Sequence, residues 1–145
     1  MKNYLFSLVI LTIFLSLNIE ARDDKYLFPV DEALFKHSDL VNQNIKLYFA
    51  TQPPEGEVDN LGTYTSNKAT NARFKSPRKS CDWAFMSAIK SLQQRAATLE
   101  GDAVVNIHSY YKSIEMFDED AYECHDGQNI SRVVLRGTVV RLRGR

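Results

Sequence analysis

The chain is sparing with several residue types, holding two cysteines, one tryptophan and six glycines in 145 residues. No glycine is followed by lysine, so the Gly-x4-Gly-Lys-Ser/Thr loop that cradles nucleotide phosphates cannot be built. That excludes an ATPase of this kind on chemistry. Structural zinc needs about four ligands. Here the nearby candidates are Cys81, Cys124, His108 and His125, with Cys124 and His125 adjacent and too tight for a usual ligand pair. No metal or other cofactor is expected. Charge of one sign is not in excess either, since Lys plus Arg and Asp plus Glu both number 18. A balanced chain lacks the general attraction to polyanions that nucleic-acid binding requires. Serines are present beside His108 and His125, but there is no nucleophile elbow and no spacing that fixes a base beside a nucleophile.

Long apolar runs are absent except at the start. Lys2 precedes an apolar stretch from Tyr4 to Leu17, and Ile19-Glu20-Ala21 resembles a small-residue cleavage site. This predicts a signal peptide over 1–21, cleaved after Ala21, and a mature domain over 22–145 in the periplasm or secreted. The run is shorter than the roughly 20 residues that span a bilayer, and no cysteine follows the cut to carry lipid. An uncleaved anchor is the competing reading, and a stable membrane anchor is not expected. Arg22 to Lys25 reads as a frayed start.

What the sequence does offer is organised around Ser76 to Tyr111. Cys81, Ala84, Phe85, Ala88, Ile89, Leu92, Ala96 and Leu99 recur at three- and four-residue steps, one stripe of an amphipathic helix. Ser76 followed by Pro77 suits an N-cap and first helical position, and Gly101 suits a left-handed residue past the last turn. A strand follows, with Val105, Ile107 and Ser109 expected to meet the helix and Val104, Asn106, His108 and Tyr110 on the other face. Trp83 lies off the stripe and is expected to cover the loop from Ser113 to Asn129.

Upstream, Val30 to Val41 reads as a short helix with His37 on its flank, Ile45 to Phe49 as a strand, and Leu61 to Thr65 as a second short strand. Ser66 to Lys75 reads as a loop; with Arg78 and Lys79, its Lys68, Arg73 and Lys75 invite anion binding, weighed against a solvated basic loop. Downstream, Ser113 to Asn129 reads as an acidic excursion. Its Glu115, Asp118, Glu119, Asp120, Glu123 and Asp126 lack the alternating pattern of a calcium loop. Ile130 to Leu142 is a long strand with Val133, Leu135, Gly137 and Val139 on one face and Arg132, Val134, Arg136, Thr138 and Val140 on the other. The expected fold is α+β: about four mostly antiparallel strands with the long helix across one face and a short N-terminal helix.

An even cysteine count in an oxidising compartment favours a Cys81–Cys124 disulfide, which the chain-entropy model values at about 4 kcal/mol. Free or redox-active thiols are the rival, without the C-x-x-C spacing that tunes reactivity. Across adjacent strands His108, Tyr110, Arg132 and Arg136 form a polar and aromatic surface suited to a ligand or partner, weighed against an ordinary solvated sheet face.

These residues also carry a resemblance. KLYFA at 46–50, SCDWAFMSAI at 80–89, GDAVVNIHSYYK at 101–112, YECHDG at 122–127 and LRGTVVRL at 135–142 resemble a group of small exported bacterial proteins of unassigned activity that often carry the label "excinuclease ATPase subunit". The label contradicts the missing phosphate loop, the short length and the export signal. More loosely, the helix, the Gly-x-Ala-Val-Val strand and the cysteine-bearing return strand resemble the periplasmic domain of the RcsF envelope-stress lipoprotein. That resemblance implies an α+β fold with a helix-to-strand disulfide. The chain departs from it in having two cysteines rather than four and no lipid-attachment cysteine, so tethering and signalling do not transfer. The expected function is a non-catalytic, disulfide-stapled periplasmic or secreted protein acting on an envelope protein or small ligand, in envelope homeostasis. The alternative is a small periplasmic hydrolase or thiol oxidoreductase using His108, His125 or the cysteines. Metal storage by the acidic loop is a third reading.

Overall fold

The computed structural model describes residues 20–144; the signal-peptide reading of 1–21 falls almost entirely outside them. In chain order the elements are β1 (Asp24–Pro29), α1 (Val30–Lys36), β2 (Lys46–Phe49), β3 (Val58–Asn71), α2 (Pro77–Thr98), β4 (Ala103–Ser109), β5 (Ala121–Asp126) and β6 (Ile130–Leu142). Mixed α and β structure is as expected, but the described residues form a six-stranded sheet rather than about four strands.

All of the sheet hangs on β6. One edge of β6 pairs antiparallel with the whole of β3, from Val58↔Leu142 to Asn71↔Ile130. The other edge is divided: β4 takes Ala103↔Val140 through Ser109↔Leu135, while β5 reaches only His125↔Arg132 and Asp126↔Ser131. Outside β4 lies β2, in parallel. Outside β5 lies β1, antiparallel along its full length. The long strand β6 falls on the expected boundaries with the expected faces, because Val133, Leu135 and Val139 share one side while Arg132, Arg136 and Thr138 share the other, and one register buries the apolar set.

α2 also forms as its sequence dictates. Ser76 Oγ accepts from the Lys79 amide at 3.2 Å, Pro77 opens the helix, and Cys81, Ala84, Phe85, Ala88, Ile89, Leu92 and Ala96 are buried against the sheet. Its exit differs from expectation. The left-handed residue is Glu100, with φ 56°, and Gly101 serves close approach instead: a Cβ there would stand 2.7 Å from Val139 Cγ1.

Several weaker readings are corrected. The helix expected over Val30 to Val41 stops at Lys36, followed by a 3-10 turn at Ser38–Leu40. Strand β3 runs on to Asn71 through a polar segment that sequence assigns to loop, because a paired edge of β6 satisfies its backbone. The acidic excursion holds a strand, β5, whose Tyr122, Cys124 and Asp126 are buried. Arg22 to Lys25 is not frayed: Asp24 already pairs in β1. In β4 the register shifts between Val105 and His108, where Asn106 takes φ 54°, a left-handed conformation that Asn tolerates better than most residues. This bulge resets the alternation. Val104, Ile107 and Ser109 face inward, and Val105 turns outward to join Ala103, Val140 and Leu142. Gly137, opposite the bulge, accommodates it; a Cβ there would lie 2.7 Å from Val104 Cγ1 and 3.3 Å from Ile107 Cγ1. Trp83 is 41 % exposed and packs on His37, ring centroids 4.9 Å apart, rather than on the acidic loop.

The two cysteines form a disulfide, Cα to Cα 5.9 Å, joining α2 to β5. One residue along the helix, buried Asp82 accepts from Tyr122 Oη at 2.8 Å and Arg78 Nε at 2.8 Å, with Lys36 Nζ at 3.4 Å. Tyr122 stacks on Phe85 at 4.1 Å. Burial first, and Asp82 second, push its phenol far above the ordinary range, so it remains a donor.

Two predictions follow from this packing. Cys81→Ser with Cys124→Ser should cost about 4 kcal/mol, and hydrogen exchange should show β1 and β5 losing protection before β3 and β6. Gly137→Ala should lower the urea midpoint by an amount equivalent to about 1–3 kcal/mol, since the two side chains it meets are β-branched and stiff.

Candidate functional site

The face of the sheet away from α2 carries the polar groups. Alternation along β5 sends Glu123 and His125 outward while Tyr122, Cys124 and Asp126 go in. His125 is gripped on both sides: Nδ1 lies 2.9 Å from Asp23 Oδ1 and Nε2 lies 2.6 Å from Glu123 Oε1. Tyr111 stacks on the imidazole with centroids 3.5 Å apart and donates from Oη to Asp23 Oδ2 at 3.1 Å. Lys112 Nζ stands 3.4 Å from the same oxygen, and Lys25 Nζ is 2.9 Å from Glu123 Oε2. The turn that folds Tyr111 and Lys112 back over β5 uses consecutive left-handed residues, Lys112 at φ 50° and Ser113 at φ 63°.

Each ionisable group reflects its partners. Burial raises Asp23 and Glu123, but hydrogen bonds outweigh it and leave both below their ordinary values: from Tyr111, His125 and Lys112 to Asp23, and from His125 and Lys25 to Glu123. Burial, then the bond to Asp23, holds the Tyr111 phenol above its ordinary range.

Beside this cluster opens a cleft of about 400 Å³ bounded by Arg22, Asp23, Tyr111, His125, Asn129 and Arg132. Arg22 is committed to Asp24 at 2.5 Å and Asp126 at 3.1 Å. Arg132, the cross-strand neighbour of His125, donates to Asn67 Oδ1 at 2.5 Å and has no carboxylate at ion-pair distance among the described residues. It is a guanidinium left over at the cleft wall. A second hollow of about 350 Å³, between α2 and β3, carries Ser66 and Arg95 but no carboxylate, histidine or lysine.

The four residues expected to form one surface divide into two groups. Arg132 stands at the cleft. His108, Tyr110 and Arg136 come together further along β4 and β6, with the Arg136 guanidinium 4.7 Å over the Tyr110 ring and 3.9 Å from Glu115. His108 is not on an open surface. It is 5 % exposed and stacked under Phe117 at 4.2 Å. Its Nδ1 lies 2.7 Å from the Asn106 carbonyl oxygen; buried Nε2 has no hydrogen bond, with Glu115 Oε1 3.5 Å away. Sequence reasoning missed Asp23, Tyr111 and Glu123 as partners of His125. Asp23 is remote along the chain, and nothing local announces that β1 pairs with β5.

Other chemistry is placed less favourably. Both disulfide sulfurs belong to fully buried residues. Ser131 Oγ donates to Asp126 and lies 2.6 Å from Ser80 Oγ, but this buried cluster is on the helix side of the sheet, opposite His125. Among the described residues no group of three His, Cys, Asp or Glu is arranged to hold a metal ion, and no helix is long and apolar enough to cross a membrane.

No protein-family model matches the chain, and no curated protein matches it either. A solved structure is similar in fold: a protein of unknown function from Pediococcus pentosaceus ATCC 25745, described as belonging to the DUF74 family, at 16 % identity and a TM-score of 0.50. The match covers 69 % of this chain and 99 % of that one. At that identity the likeness is one of fold alone.

The two depressed carboxylates give the site a pH signature. Their ordinary values are 3.8 for Asp23 and 4.5 for Glu123, so the stability they contribute is complete above about pH 4.5 and is lost as pH falls through their lower folded values. Urea midpoints between about pH 6 and 3 should therefore fall more steeply for the native chain than for Asp23→Asn. Equal slopes would show that Asp23 is not engaged.

Proposed function

We propose that the protein is an exported, non-catalytic domain that binds a small anionic ligand, or a carboxylate-bearing segment of an envelope protein, in the cleft beside His125. The observation that carries this reading is Arg132: a guanidinium at a cleft wall with no carboxylate partner among the described residues, while the neighbouring carboxylates Asp23, Asp24, Glu123 and Asp126 are each engaged by a cation. Arg presents a planar fork suited to carboxylate or phosphate. Tyr111 beside it adds an aromatic edge, its hydroxyl proton being given to Asp23, and the His125 grip holds the wall rigid.

The enzyme reading finds less support. Thiol exchange needs an accessible thiolate, and Cys81 and Cys124 are buried and bonded to each other. Hydrolysis by a serine would need a base in reach, whereas His125 and the Ser131–Asp126 pair lie on opposite faces of the sheet. Export agrees with the disulfide, which persists in oxidising compartments, and the missing phosphate loop argues against the excinuclease label.

A panel of small carboxylates and phosphates read by amide NMR tests the proposal. Shifts should cluster at Tyr111, His125 and Arg132, and Arg132→Ala should weaken binding about tenfold with an unchanged fold. Turnover of a hydrolase or thiol-exchange substrate, with no shifts at these residues, would overturn it.

A further inference from the structure

The segment between β3 and α2 has no part in the cleft's chemistry. From Leu61 to Cys81 there is no Asp or Glu, yet Lys68, Arg73, Lys75, Arg78 and Lys79 fall within it. Arg78 is neutralised by Asp82 and Glu32. Arg73, Lys75 and Lys79 are exposed and have no carboxylate at ion-pair distance among the described residues; Lys75 Nζ donates to the Asn71 carbonyl at 2.8 Å instead. At the crest stands Phe74, 101 % exposed, at φ 61°, with the Arg73 guanidinium 5.8 Å from its ring centroid. Ile130, 46 % exposed, lies at the same end as the register partner of Asn71. Phe74 and Lys79 are not placed to favour folding. A bulky residue avoids positive φ, and cations in the first turn of α2 oppose the helix dipole.

Position supplies the second line of argument. The Ala72 amide donates to the Asn129 carbonyl at 2.9 Å, joining this turn to the β5–β6 hairpin. That hairpin in turn packs on the arm before β1: a Cβ at Gly127 would lie 3.1 Å from the Arg22 carbonyl oxygen. The chain therefore enters the domain beside the basic turn, and the apolar run ending at Leu17 lies just upstream of the first described residue, Glu20. Carboxylates here are largely spent, Asp24 and Asp126 on Arg22 and Asp23 on His125 and Lys112, with Glu20 at the start of the arm as the exposed exception.

We propose that the turn from Arg73 to Lys79 is a membrane-facing tip that seats on anionic phospholipid, with Phe74 entering the interfacial layer and Arg73, Lys75 and Lys79 meeting headgroup phosphates. An acidic protein surface would match the cations, but it would leave unexplained why a fully exposed ring stands at the crest among them.

The test compares the mature chain from Arg22 with its Phe74→Ser/Lys75→Glu variant on vesicles of phosphatidylcholine, on the same vesicles with one third phosphatidylglycerol, and on heparin. The native chain should partition onto the anionic vesicles at least about tenfold more strongly than the variant, with the advantage shrinking in salt. Lys79→Glu supplies a control against misfolding, since it should weaken partition while raising the thermal midpoint by placing an acid at the helix N-terminus. Equal partition of native and variant chains, no binding to anionic vesicles, or binding to heparin without preference for anionic lipid would each overturn the proposal.

Discussion

Two neighbouring residues of one helix tie down a wing of the sheet that could not hold itself. β5 meets β6 at only two register pairs, and β1 is held in the sheet only through β5. Ladder hydrogen bonds over so short a contact are a weak attachment. The Cys81–Cys124 bond and the adjacent Asp82–Tyr122 hydrogen bond replace what the ladder lacks, one by constraining the unfolded chain and the other by satisfying a buried carboxylate. Removing either partner of the buried Asp82 network would leave an unpaired polar group in a dry interior. Covalent and polar ties thus act from consecutive residues of one helical turn.

That wing carries the cleft. Glu123 and His125 stand on the outer side of β5, Asp23 on the arm that precedes β1, and Tyr111 on the turn after β4, so the site draws on three chain segments far apart in sequence. Alternation across β5 separates its two kinds of work: Tyr122, Cys124 and Asp126 anchor the strand to the helix, while Glu123 and His125 lie on the opposite side, with His125 lining the cleft. The tie to the helix on one side and the His125 cluster on the other follow from a single short strand.

How much of this was legible in the sequence depended on how strongly one local pattern excluded the others. Ile130 to Leu142 is a β-branched run that sets Val133, Leu135 and Val139 on one face, and the helix stripe after Ser76 keeps its period for five turns, so the strand's bounds and the helix's start were legible, though not the helix's exit. β5 was hidden because its apolar residues alternate with Glu123 and His125 inside an acidic stretch, which reads as solvated loop until the partner strand is known. The polar tail of β3 failed for the same reason: Asn and Lys on an edge carry little signal, while pairing with β6 decides their conformation. In β4 the error came from one residue. Left-handed Asn106 inserts a bulge, and every inward and outward assignment before it is reversed. Of the candidate surface, Arg132 was placed correctly toward the open face, whereas His108 was read as open because Phe117, which covers it, lies on a segment with no periodicity at all.

In the proposed reading a leader directs the chain out of the reducing cytosol, and the two thiols are oxidised once there. Intact-mass analysis of protein isolated from its host under non-reducing, alkylating conditions tests this most directly. The expected species begins at Arg22, is lighter than the reduced form by two hydrogens, and takes up no alkylating reagent. A full-length chain carrying two alkylated cysteines would contradict both the export and the tie on which the wing depends.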